Sequence, residues 1–307
     1  MTPSPDPSPP PDLEVLLAQK ELLGQRISVC LPALNEAETV GDICRSITRD
    51  CVETGMVDEL VVVVDDRSID DTEDVARRTG ASVVSSGDLV PEVPRLSGGK
   101  GDILWRSLAA TTGEILVWID ADLTGFDSLY VPRLVTPLLE DPEIVFVKGH
   151  YARNVDGAAG GGRVTELVAR PLLNLFYPEL AGLIQPLSGE MAGRREALTS
   201  IPFFTGYGVE IGVLIDLMDR FGKDSIAQVD LIARHHRSRD LPALGLAAHQ
   251  IMQVVLRRVE SDGRAKFLDE PTARFIRFDA DRRKVEELNL VEELPPFDSL
   301  RGASSHS

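Results

Sequence analysis

Asp120-Ala121-Asp122 follows directly on the apolar run 114–119 (EILVWI), so two carboxylates with one residue between them stand at the end of a strand. Such a pair can hold a hard divalent cation and, through it, a diphosphate, because Mg²⁺ takes a few carboxylate oxygens together with phosphate oxygens. An acidic strand-to-loop turn has the same composition. Two further polar clusters share the placement: Pro32-Ala33-Leu34-Asn35-Glu36 after one apolar run, and Asp65-Asp66-Arg67-Ser68-Ile69-Asp70-Asp71-Thr72 after another. A carboxylate at such a strand end can accept from a base N–H or a ribose hydroxyl, while Asp70 or Asp71 suits the cap of the next helix. Gly98-Gly99-Lys100-Gly101 joins close backbone approach to a cation. That suits a phosphate or sugar at a helix start, and equally an ordinary loop.

The elements that must carry these clusters follow from hydrophobic periodicity. Strands are predicted over 26–32, 59–64, 81–85, 114–119 and 144–147, the second a continuous valine run of the kind covered on both faces. Helical spacing falls at 13–23, 35–48, the stretch running to Arg78, and 100–110. Alternating strands and helices predict an α/β fold, a Rossmann-like, mostly parallel sheet flanked by helices, in which ligands bind at the carboxyl ends of strands. Further on, 154–162 (NVDGAAGGG) reads as a glycine-rich loop and 163–176 as a helix interrupted by Pro171. Helices are expected at 209–221 and 241–259, with a strand at 226–231, and residues 262–307 read as charged and loop-rich.

Composition narrows the function. The 32 basic against 49 acidic side chains leave a formal charge of −17, which argues against a general nucleic-acid binder. Cys30, Cys44 and Cys51 are too few and too irregularly spaced for a disulfide framework or a four-thiolate zinc site. The Pro- and Ser-rich residues 1–12 lack the order of a signal peptide, and no run approaches the roughly 18 to 20 apolar residues of a membrane helix. A soluble, cytoplasmic protein without a membrane partner is expected.

The order LPALNE, DDRSIDDT, GGKG and DAD resembles the donor-binding half of GT-A glycosyltransferases. Three later strings, GGGRVTELVARPLL from Gly160, QPLSGE from Gln185 and GYGVEIG from Gly206, resemble the actinobacterial glucosyl-3-phosphoglycerate synthase family. The likeness spans residues 26–240. It implies a GT-A fold with a C-terminal helical extension: a tail and lead-in helix at 1–25, a nucleotide-sugar half at 26–150, an acceptor half at 151–240, and a helix with an acidic tail at 241–307. It also implies retaining transfer of glucose from UDP-glucose to the 2-hydroxyl of 3-phosphoglycerate with Mg²⁺ or Mn²⁺, in a homodimer.

On the matching positions the resemblance assigns Pro32, Leu34, Glu36, Asp66, Lys100 and Ala121 to the nucleotide sugar. Asp122 and His236 fall to the metal, and Gly162, Arg163, Thr165 and Arg237 to the acceptor. Glu210 lies beside the transferred sugar, either as a base or as an orienting group. Ser238 and the 191–194 loop (MAGR) depart from the family pattern and bear on substrate preference. The nearest alternative is mannosyl-3-phosphoglycerate synthase, which uses GDP-mannose; a polyprenyl-phosphate glycosyltransferase and a non-catalytic sugar-nucleotide binder are more distant ones. An acidic protein with an anionic acceptor needs local positive charge, for which Arg163, Arg170, Arg194, Arg237 and Arg239 are candidates.

Overall fold

The four consecutive valines at 61–64 leave no polar face, and in the computed structural model the strand they form is covered on both sides: Val61 and Val63 enter one core, Val62 and Val64 the other. The structure describes residues 9–95, 98–155, 158–159, 162–234, 241–269, 271–279 and 281–303. In chain order the elements are α1 (Leu13–Leu23), β1 (Ile27–Ala33), α2 (Val40–Ile47), β2 (Glu59–Val64), α3 (Thr72–Arg77), β3 (Ser82–Ser85), α4 (Lys100–Ala110), β4 (Ile115–Trp118) and α5 (Tyr130–Glu140). Then follow β5 (Phe146–Val155), β6 (Ala158–Ala159), α6 (Arg170–Phe176), β7 (Met191–Arg194), α7 (Arg195–Thr199), β8 (Phe203–Phe204), α8 (Val209–Phe221) and β9 (Ile226–Arg234). The chain closes with α9 (Leu241–Ser261), β10 (Arg274–Phe278), β11 (Lys284–Leu288), β12 (Glu293–Leu294) and α10 (Phe297–Ala303).

The main sheet runs β3-β2-β1-β4-β7-β5-β6, with β9 parallel to β5. β1, β2, β3 and β4 are mutually parallel, whereas β7 is antiparallel to both β4 and β5. Two reversals restore direction, so β5 and β9 point the same way as β4, and the carboxyl ends of six strands share one edge with the amino end of β7. One face packs on α4, α8 and α9, the other on α1, α2 and α5. This is the layered α/β sheet that the alternation of elements predicts.

Several elements depart from the sequence expectation. The 35–48 helix begins only at Val40, because Asn35 takes a left-handed φ of 57°. α5 and β7 were not anticipated: α5 contains Pro132 and Pro137, which mask its helical period, and β7 is four residues long. The expected 191–194 loop is therefore a central strand. β5 continues to Val155, where Asn154 and Val155 pair with Ala159 and Ala158, so the start of the presumed glycine-rich loop is strand. The 163–176 helix does form, with a π-helical stretch at Thr165–Ala169 that leads into Arg170–Phe176 and accommodates Pro171.

The C-terminal segment, expected to be loop-rich, folds back onto the core. β10 and β11 form a hairpin, and β12 pairs antiparallel with β8. Arg258 of α9 grips Asp216 of α8 at 2.6 and 2.9 Å, reaches Glu293 at 2.7 Å, and stacks over Phe204. Trp105 Nε1 donates to the Pro295 carbonyl at 2.8 Å. α4 is pressed so closely on β8 that a Cβ at Gly101 would lie 1.8 Å from the Phe204 carbonyl oxygen. Gly101→Ala should therefore destabilise the fold by about 1–3 kcal/mol through overpacking. Denaturant unfolding checks this, and an unchanged midpoint would mean that α4 has room to withdraw.

Candidate active site

The loops after β1 and β2 clamp each other. Asn35 Oδ1 accepts from the Ile69 amide at 2.9 Å, the Glu36 amide donates to Thr72 Oγ1 at 2.7 Å, and the Ala37 amide donates to Asp70 Oδ2 at 3.1 Å. Asp70 also accepts from the Thr72 amide at 3.1 Å, so of the two capping candidates it is Asp70 that closes the start of α3. Thr39 Oγ1 donates to the Ala121 carbonyl at 2.6 Å, which fixes the loop after β4 against the first one. Three separate polar clusters thus become one surface at the carboxyl edge of the sheet.

Lys100 opens α4 at the centre of that surface. Its Nζ lies 2.7 Å from Asp120 Oδ1 and 2.9 Å from Glu210 Oε1, bridging the end of β4 to the first turn of α8. The Lys100 and Asp120 side chains are each 18% exposed and that of Glu210 only 6%, so the pairs are weakly screened. Burial alone would lower the Lys100 ammonium, but the Asp120 and Glu210 carboxylates outweigh it and hold the group above the ordinary lysine value. Lys100 is a fixed positive charge at neutral pH.

A cavity of about 340 Å³ opens above this node. Of the sequence candidates, Pro32, Leu34, Glu36, Lys100, Ala121 and Asp122 all line it, and Glu210 joins them through Lys100. Asp66 is not in the lining: Arg95 pairs with it and also reaches Ser86 at 3.0 Å, while Asp65 and Arg67 face the cavity instead. Gly162, Arg163 and Thr165 lie outside the lining too, at the start of the helix that leads into α6; Arg163 is exposed there and Thr165 buried. His236 and Arg237, with His235, Ser238 and Arg239, lie outside the described residues. The strand before them, β9, ends at Arg234 on the same sheet edge as Asp122. Arg170 and Arg194, considered as sources of positive potential, are engaged with backbone instead: Arg170 with the carbonyls of Leu183 and Ile184, Arg194 with those of Leu138, Asp141 and Ile144.

Among the described residues no group of three or more histidine, cysteine or carboxylate side chains could by itself hold a metal. One cavity-lining carboxylate, Asp122, beside a second that Lys100 already engages, fits a hard cation that keeps few protein ligands and completes its shell with diphosphate oxygens.

Several site residues escaped the sequence reading. Asp65 is fully buried and accepts from the amide of Arg67 at 3.0 Å and from its Nε at 2.9 Å. Burial alone would raise its carboxyl, but the Arg67 bonds and the Arg95 charge hold it below the usual range. Gln250 of α9 accepts from the Tyr207 amide at 2.8 Å and donates to Asn289 Oδ1 at 2.8 Å, so the C-terminal segment supplies a wall of the cavity through Gln250 and Leu290. No local signal marks these last residues. Asp65 and Arg67 stand inside a cluster already singled out, where only the side-chain directions were undetermined.

A sheet whose carboxyl edge gathers a lysine, an Asp-x-Asp pair and a buried glutamate around one cavity has the architecture of a nucleotide-sugar-dependent glycosyltransferase. The model of glycosyl transferase family 2 matches residues 28–201. Glucosyl-3-phosphoglycerate synthase of Mycolicibacterium smegmatis is 51% identical over 240 residues, 76% of this chain and 78% of the relative, and that of Petrotoga mobilis is 44% identical over 270 residues, 86% and 83%. The crystal structure of the Mycobacterium tuberculosis synthase with Mn²⁺, UDP and glucosyl-3-phosphoglycerate superposes with a TM-score of 0.85 at 45% identity, covering 96% of this chain and 98% of that one. The chain belongs to the glucosyl-3-phosphoglycerate synthase family, within glycosyl transferase family 2 and the GT-A fold.

Proposed function

We propose that the chain transfers glucose from UDP-glucose to the 2-hydroxyl of 3-phosphoglycerate, giving glucosyl-3-phosphoglycerate with retention of configuration. The observation that carries this reading is Lys100, bridged to Asp120 and Glu210 in the cavity that Asp122 also lines. It is supported by the M. tuberculosis relative, whose crystal structures include one with Mn²⁺, UDP-glucose and phosphoglyceric acid and another with Mg²⁺ and UDP. Pro32, Leu34, Glu36 and Ala121 enclose the nucleotide sugar, and Lys100 meets the charge that grows on the departing diphosphate. Asp122 holds the Mg²⁺ or Mn²⁺ ion, with His236 as its second ligand. When bound, that ion supplies Lewis-acid stabilisation of the same diphosphate.

Glu210 orients the sugar. One of its carboxylate oxygens is committed to the Lys100 ammonium at 2.9 Å, an arrangement that suits holding the sugar and goes with retention, in which the leaving diphosphate rather than Glu210 takes the acceptor proton. Gly162, Arg163, Thr165 and Arg237 receive the phosphoglycerate, Arg163 at a helix start where the backbone also favours phosphate. Arg163→Ala should raise KM for 3-phosphoglycerate by about 10-fold or more while leaving that for UDP-glucose near its original value, the loss of one charge-assisted contact. Steady-state kinetics in both substrates checks it; an unchanged acceptor KM removes Arg163 from the role.

The deciding experiment incubates the protein with Mn²⁺ or Mg²⁺, 3-phosphoglycerate and either UDP-glucose or GDP-mannose, follows nucleotide release, and determines the anomeric configuration of the product. An α-glucosyl product supports the reading, a mannosyl product moves it to the sister activity, and no acceptor-dependent release from either donor refutes it. We further infer a cytoplasmic homodimer that joins through α9, whose Leu241 and Met252 are 68% and 43% exposed. Among the described residues no helix is long and apolar enough to cross a membrane, and the three cysteines are buried free thiols. A monomer mass by light scattering would refute the dimer.

A further inference from the structure

Lys148 stands near the start of β5, in the apolar run IVFVKG, with only 1% of its surface exposed. A lysine this deep is costly unless its ammonium is bonded and balanced by charge. Its Nζ donates to the Ser188 carbonyl at 2.6 Å. Ser188 Oγ in turn donates to the Gly149 carbonyl at 2.6 Å, and the Gly149 amide to the Glu190 carbonyl at 2.9 Å. Three bonds thus fasten the 188–190 turn, the lead-in to β7, onto β5.

That turn is pressed against the catalytic node. A Cβ at Gly189 would lie 2.1 Å from Asp120 Oδ2, so only glycine lets the two approach, and the other oxygen of Asp120 is held by Lys100. Glu190, on the same turn, is fully buried. Burial pushes the Lys148 ammonium down to about 8, with Glu210, Glu190 and Asp120 drawing it up and Lys100 pushing it further down. Lys148 therefore shares the electrostatics of the node although it does not line the cavity.

We propose that Lys148 is a positioning residue for the glucosyl transfer: by holding the 188–190 turn against Asp120 it fixes the ion-pair chain of Asp120, Lys100 and Glu210 beneath the transferred sugar. The inference rests on the transfer proposed above. It is tested with Lys148→Met and the double variant K148M/E190Q beside the unmodified protein. The measurements are kcat, KM for UDP-glucose and for 3-phosphoglycerate, Kd for UDP with Mn²⁺, and circular dichroism.

The expected result is a fall in kcat of up to about 10²-fold, as misplacement of a reacting constellation produces. Both KM values and the UDP Kd should stay within about threefold in a folded chain. The double variant removes buried charge of both signs, so it decides the matter if Lys148→Met leaves Glu190 uncompensated and the chain unfolded. Unaltered kcat in either folded variant overturns the proposal. A fall in kcat matched by an equal loss of UDP binding also overturns it, since that marks general damage to the cavity. If the unmodified protein releases no UDP in the presence of 3-phosphoglycerate, the transfer reading itself fails, and the positioning role falls with it.

Discussion

Lys100→Ala should lower kcat by about 10³-fold, as removal of a preorganised charge aimed at a leaving group does. Two effects act together. The departing diphosphate loses the cation that lines its cavity, and Asp120 and Glu210, both bonded to the same ammonium, are left as neighbouring carboxylates with little solvent between them. Like charges so placed repel, so both side chains should leave the positions that the ammonium gave them. Arginine should not restore the activity, because a planar guanidinium cannot occupy the point between two carboxylates on separate elements as an ammonium does. UDP release in the presence of both substrates measures the effect. Retention of a tenth of the activity by the alanine variant would remove Lys100 from the centre of the mechanism.

Asp122→Ala should cost a similar factor, about 10³-fold or more, since a metal acting as a Lewis acid is worth several kcal/mol of barrier. The loss should appear first in binding: calorimetric titration of Mn²⁺ in the presence of UDP should show no saturable site, with the circular dichroism unchanged. Excess chelator should reduce the unmodified protein to the level of the variant and leave the variant unaffected. Full activity of the unmodified protein in chelator would refute the metal site, and unimpaired Mn²⁺ binding by the variant would move it away from Asp122.

The local features of this chain follow from neighbours in sequence. Four valines in a row predict a strand covered on both faces, the spacing of 100–110 predicts a helix opening at the lysine of GGKG, and DAD after EILVWI predicts carboxylates at a strand end; the structure has them at β2, at α4 and after β4. Because parallel strands present their carboxyl ends to one side, those clusters were bound to share an edge, and six of the expected donor residues line the cavity there. Asp66 shows the limit of such reading. Asp65 lines the cavity and Asp66 does not, although Arg95 reaches both, and the sequence leaves open which of two adjacent carboxylates takes that place.

What only the tertiary structure decided are the contacts between segments far apart in the chain. β7 has just four residues and no periodicity to announce it, yet its insertion between β4 and β5 brings Gly189 to Asp120 and the Ser188 carbonyl to Lys148. In the sequence the arrangement leaves a lone lysine in an apolar run and the QPLSGE string, and neither says that the two meet. The C-terminal segment, polar and irregular when read alone, becomes strand and cavity wall because β8 offers it an edge and Asn289 meets Gln250. Periodicity reports which face of an element is buried. It carries no information about which distant element will bury it, and at this site that second fact determines where the charges stand.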